Sequence, residues 1–140
     1  MIFSESVSVC FKKYFVFEGR ASRSEYWWFQ LIVSPSYFIS EVLDNEISFF
    51  FLGITLFTFI PAISAGVRRL HDTNKSGFFL LISFIPFIGG LVLLFLLIPV
   101  GTKGKNRFGP DPLKKITRKR YKRKWNQVNK KLLEIVFLEV

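Results

Sequence analysis

Residues 66–77 read G-V-R-R-L-H-D-T-N-K-S-G, a polar island that closes one apolar run, 47–67, and precedes another, 78–100. Neither run contains a charged residue, and they are 21 and 23 residues long. At 1.5 Å rise per residue, a helix of about 20 residues crosses a ~30 Å hydrocarbon core. A core helix of a soluble protein is apolar along one stripe rather than all round for that length. The chain therefore reads as an all-α integral membrane protein, and the island, with the only histidine, lies at a membrane surface.

Upstream, residues 26–42 form a shorter apolar segment carrying Trp27, Trp28, Gln30 and Pro35. It lacks the small-residue end of a cleaved signal, so an uncleaved anchor is expected after a mixed leader, 1–25. Tyr26, Trp27 and Trp28 suit an interfacial aromatic belt. Residues 41–46 carry three acids and no base, and read as a tight turn between antiparallel helices. Pro61 frees a carbonyl inside the second segment and kinks it toward the island.

Downstream, the third segment, 78–100, is interrupted by Pro86 and by Gly89-Gly90. A Gly/Pro-rich connector, 101–112, joins it to a tail, 113–140, of different composition. Four bases precede residue 26, three lie in the island and thirteen follow Val100. Cytoplasmic loops carry the excess of Lys and Arg, so all three basic blocks belong on one side. Three full spans cannot place them there. Two arrangements remain: the third segment is a re-entrant hairpin turning at Pro86–Gly90, or it spans and the whole protein is flipped. The hairpin is preferred, although its backbone must be covered by protein.

In the tail, Tyr121, Trp125, Val128, Leu132 and Val136 recur at helical spacing, with Arg118, Lys119, Arg120, Lys122, Arg123 and Lys124 among them. That pattern predicts a basic amphipathic helix, cytoplasmic and lying on an anionic leaflet. Nucleic acid is the disfavoured partner, since no recognition fold fits so short a tail. A single cysteine, Cys10, forms no internal disulfide, and no Cys/His spacing suits a metal. No cofactor is expected.

Four blocks carry a resemblance: F-E-G-R-A-S-R-S-E-Y-W-W-F at 17–29, P-A-I-S-A-G-V-R-R-L-H-D-T-N-K-S-G-F-F at 61–79, I-P-F-I-G-G at 85–90 and G-T-K-G-K-N-R-F-G-P-D-P at 101–112. In this order and spacing, residues 14–112 resemble the bacterial YhaH-like family, the domain of unknown function numbered 805. The resemblance implies a small multi-pass protein of the bacterial inner (plasma) membrane, with about three hydrophobic segments and no established activity. It marks Gly19, Arg20, Arg23, Glu25 and Trp28, then Arg68, Arg69, Leu70, His71, Asp72, Ser76 and Gly77, and finally Asn106, Arg107, Gly109 and Pro110. The chain departs from the family pattern at Asn74, where Gly is usual, and at Phe78-Phe79, where an aromatic Trp is usual. The domain division is therefore a membrane part, 1–112, and a tail, 113–140, outside the resemblance.

Under the hairpin arrangement Arg20, Arg23, Glu25, Arg68, Arg69, His71, Asp72, Asn106 and Arg107 share one membrane face. One hydrogen-bonded cluster is expected, with Glu25 and Asp72 pairing arginines and His71 near the headgroups. Such a cluster either locks segment ends together or holds an anionic headgroup or small anion. The plainer alternative makes Arg68 and Arg69 interfacial anchors, has Asp72 or Thr73 cap the next helix, and leaves Lys75 solvated. No nucleophile is tied to His71 and Asp72, so no catalytic residue is assigned. A structural or interaction component, as a homo-oligomer or beside a membrane partner protein, is the preferred class. A small transporter or channel subunit comes second, and an envelope enzyme using His71 and Asp72 third.

Overall fold

The computed structural model describes residues 1–42 and 46–138. Its elements are α1 (Phe3–Lys12), α2 (Arg23–Val42), α3 (Glu46–Asp72), a 3-10 segment (Gly77–Phe84), α4 (Gly89–Leu97) and α5 (Pro112–Leu138). No strand occurs among the described residues, beyond one isolated bridge between Asn106 and Gly109. The acidic turn expected at 41–46 falls mostly outside the described residues.

Helices α2 and α3 run antiparallel. Glu25 in the first turn of α2 pairs with Arg68 near the end of α3, while Ser48 Oγ donates to Ser40 O at 3.0 Å at the opposite end. The 27 residues of α3 rise about 40 Å. Among the described residues, α3 is the one helix long and apolar enough to cross a membrane. Helix α2 has Arg23, Glu25 and Glu41 within its 20 residues. The third apolar run is no continuous helix; it breaks between Phe84 and Gly89 into two pieces.

These two pieces fold back on each other where the sequence places Pro86 and Gly89-Gly90. Phe87 sits at φ 64 in the turn and is almost wholly exposed. A side chain at Gly89 would meet Ile82 O at 2.0 Å, so only glycine admits the return strand of chain. The run also begins and ends at the same end of α3. Gly77 lies against Val67, and Thr102 N donates to Asp72 O at 2.8 Å.

The stretch 1–25, read from sequence as a leader, is part of the fold. Helix α1 buries Ser6 and Cys10 against α2 and α3. Phe11 stacks edge-on with Phe29 and lies beside Phe57. Pro61 inside α3 cannot donate to Phe57 O four residues back, and the Tyr14 hydroxyl fills that vacancy at 2.7 Å. Ser64 Oγ donates to Lys13 O at 3.0 Å and to Val16 O at 2.7 Å, fixing the turn after α1.

The core is small and lies toward one end of the helix pair. It gathers Cys10, Tyr26, Phe29, Ala65, Leu70, Leu93 and Leu97 from four helices. Away from it, Phe38, Phe49, Phe50, Leu56, Phe57 and Phe59 are all more than half exposed. Apolar surface so continuous is suited to a non-aqueous surrounding.

Candidate functional site

The core end of the molecule carries a layer of buried charge. Helix α2 starts at Ser22, whose Oγ accepts from Glu25 N at 3.2 Å as an N-cap, setting Glu25 in the first turn. Helix α3 supplies Arg68, Arg69 and Asp72 from its last two turns, and Arg20 comes from the loop between α1 and α2. Neighbouring positions on a helix point about 100° apart, so Arg68 faces α2 while Arg69 faces α4.

Arg68 Nη1 is paired with Glu25 Oε1, and Lys13 Nζ approaches the same oxygen at 3.7 Å. Arg69 Nη1 donates to Asp72 Oδ2 at 2.5 Å, its Nε to Leu97 O at 3.0 Å, and its Nη2 to Pro99 O. These carbonyls close the C-terminal end of α4, where a helix leaves acceptors without intrahelical partners. Arg20 donates from Nε to Asp72 Oδ1 at 2.9 Å, from Nη1 to Gly104 O at 2.6 Å, and from Nη2 to Thr102 O at 2.5 Å. Three guanidinium groups and two carboxylates thus join the leader loop, α2, α3, the end of α4 and the connector.

All five of these groups are withdrawn from solvent: Arg68 and Arg69 are 0% exposed, Glu25 3%, Asp72 4% and Arg20 6%. Interfacial anchoring of Arg68 and Arg69 is therefore incorrect, because anchors keep their charge in the headgroups. Two donors of Arg68, Nε and Nη2, are buried with no hydrogen-bond partner. The layer tolerates no substituent at Gly101, where a Cβ would fall 1.9 Å from Asp72 Oδ2.

His71 stands beside this layer, not within it. Its Nδ1 lies 3.1 Å from Gly19 O, and since a carbonyl only accepts, Nδ1 carries the hydrogen. The ring stacks on Phe108 at 3.8 Å between centroids and 4° between planes. Arg107 covers the Phe108 ring at 4.6 Å and donates to Asn74 O at 3.1 Å. Asn106 Nδ2 donates to His71 O at 2.9 Å. Both oxygens of Asp72 are held by arginines, so Asp72 does not orient His71 as a catalytic pair requires.

Arg23 is not brought into the group. Two positions before Glu25, it points outward, is exposed, and edges a shallow groove with Trp27, Trp28 and Leu31. The cap expected from Asp72 or Thr73 is supplied by Ser76, whose side chain accepts from Phe78 N at 3.4 Å. Lys75 is half-buried, not fully solvated. Of the polybasic residues, Arg118, Lys122, Arg123 and Lys124 are exposed on α5, while Lys119 and Arg120 lie outside the described side chains. The departure at Asn74 is mild for a backbone reason: φ is 62, a conformation that glycine and asparagine share.

Lys13, Tyr14 and Ser64 were absent from the sequence-based site, yet they tie α1 to the helix pair. Their partners are mostly backbone carbonyls, which leave no residue signature. Ser22-x-x-Glu25 before an apolar run was the legible signal for the start of α2.

A helical membrane protein with its charge locked inside one end is the class these features define. The chain belongs to the DUF805 family, described as proteins of unknown function, whose model matches residues 14–110. It is 45% identical over 105 residues to the inner membrane protein YhaI of Escherichia coli K12, covering 72% of this chain and 89% of that protein. It is 38% identical over 109 residues to the inner membrane protein YhaH of the same strain, covering 72% and 90%. The uncharacterised protein YiiR is 28% identical over 128 residues. No solved structure matches the chain.

Proposed function

We propose that the chain is a multi-pass inner-membrane protein with a structural or interaction role, in which α2 and α3 cross the bilayer and the third apolar run re-enters from the cytoplasmic face. The observation that carries this reading is the set of bonds from Arg69 to Leu97 O, Pro99 O and Asp72, which ties the exit of the run to the end of α3 where it began. The similarity to the inner membrane proteins YhaI and YhaH supports the membrane placement. The arginine supplies donors to the carbonyls left without intrahelical partners where α4 ends, which holds the exit of the run against α3.

The buried cluster serves as a lock, not as a ligand site. Arg20 and Arg69 spend their donors on protein acceptors, so contact with anionic headgroups falls to the exposed rim, Arg23, Lys103, Lys105 and Arg107. Exposed apolar faces of α3 and of the Pro86 turn are where another membrane protein or a second copy would pack.

Single-cysteine variants on a Cys10→Ser background test the topology with a membrane-impermeant maleimide on spheroplasts. Ser4→Cys, Lys105→Cys and Asn129→Cys are expected to stay protected, and Glu46→Cys to label. Labelling of Lys105→Cys or Asn129→Cys without Ser4→Cys would mean that the third run spans.

A further inference from the structure

Helix α5 extends from the body and lies beyond the family match, which ends at residue 110. Its start is fixed: Asp111 Oδ1 accepts from Leu113 N at 2.9 Å, and Asp111 Oδ2 from Gly104 N at 3.3 Å. Further along, Arg123 Nη2 meets Glu5 Oε1 of α1 at 2.9 Å, an ion pair with side chains 67% and 32% exposed. A pair this wet is screened by solvent, so it is a weak latch.

At 100° per residue, Tyr121, Trp125, Val128 and Leu132 fall within about 60° of one another on α5. Arg123 lies on the opposite side, toward α1, and the apolar stripe faces away from the body. Tyr121 is 73% exposed, Trp125 66%, Val128 46% and Leu132 55%. The stretch 112–138 holds ten Lys and Arg against one acid, Glu134.

We propose that α5 is a membrane-surface arm whose Tyr121–Trp125–Val128–Leu132 stripe embeds at the headgroup boundary of a bilayer containing anionic phospholipid, its bases lying over the lipid phosphates. This rests on the membrane placement proposed above. Charge decides the occupant. A second copy of α5 would bring two strongly basic helices together, and nucleic acid would neutralise the bases while leaving Trp125 and Leu132 in water. An anionic bilayer takes both the stripe and the charge.

The test uses the full chain, Cys10→Ser, in nanodiscs of pure phosphatidylcholine or with phosphatidylglycerol added, carrying an environment-sensitive fluorophore at Val128→Cys or, as control, at Asn126→Cys on another face. Expected are a blue shift and quenching by lipid-borne nitroxide at 128, strong only with phosphatidylglycerol, and little change at 126. Lys122→Gln and Lys124→Gln should each weaken docking roughly fivefold. Equal quenching at both positions, indifference to lipid charge, dependence on protein density, or a blue shift produced by duplex DNA with phosphatidylcholine alone would overturn the proposal. Failure of the body to enter nanodiscs would instead overturn the membrane reading.

Discussion

Arg20 and Asp72 stand 52 residues apart and meet inside the protein, Asp72 Oδ1 accepting from Nε of Arg20 at 2.9 Å with Nη2 also 2.9 Å away in the ion pair. The other carboxylate oxygen takes Arg69. One aspartate therefore holds the leader loop, the end of α3 and, through the two arginines, the exit of the third run and the connector after it.

Removing that carboxylate leaves two buried guanidinium groups without their counter-charge. Asp72→Ala is expected to cost about 3–5 kcal/mol, the range for breaking a buried pair by deleting one partner. Thermal melting in detergent reads this; an unchanged melting temperature would mean that the cluster is not what holds the segment ends.

Glu25 and Arg68 differ in being one pair with two unsatisfied donors on the arginine. Glu25→Leu and Arg68→Met alone should each destabilise strongly, whereas the double variant should lie near the wild type, because an apolar pair leaves no buried charge. Additive losses in the double variant would contradict the pairing.

Two glycines of the third run and connector should behave oppositely. Gly101→Ala drives a Cβ into the Asp72 carboxylate and is expected to destabilise as much as loss of the pair itself. Gly90→Ala meets nothing within 4 Å and lies in α4, so it should be neutral or stabilise by up to about 1 kcal/mol. Equal effects of the two would show that the close approach at Gly101 is not present.

Burial pushes the Cys10 thiol up to about 11, with the Glu25 carboxylate adding to the shift. The folded protein holds this proton more tightly than the unfolded chain, whose thiol titrates near 9. Stability from this group is present at neutral pH and is lost as pH rises between those values. Maleimide should accordingly label Cys10 at pH 7.5 only after unfolding; rapid labelling of the native protein would place the thiol at the surface.

How much of this was legible follows from where charge is absent. The runs 47–67 and 78–100, the break at Pro86 and Gly89-Gly90, and the stripe on α5 are local patterns, each visible within a few turns. The folding of α1 was not, since Ser6 and Cys10 are small buried residues with no periodic signal. Nor does the sequence reveal that Arg68 and Arg69, adjacent in the chain, serve two different neighbours. That division depends on the 100° between them and on which helix lies on each side. Asp72 read equally as a cap or as an arginine partner, and Ser76, four residues on, supplies the cap.

The central claim is that the third run returns to the side it left. A spin-label distance between Asn74→Cys and Lys105→Cys, on a Cys10→Ser background in nanodiscs, measures it most directly. Both positions are exposed, and Arg107, two residues after Lys105, already donates to Asn74 O across the two segments. The account predicts a distance well below the ~30 Å of the hydrocarbon core. A distance at or above that thickness would place the two ends on opposite faces and contradict it.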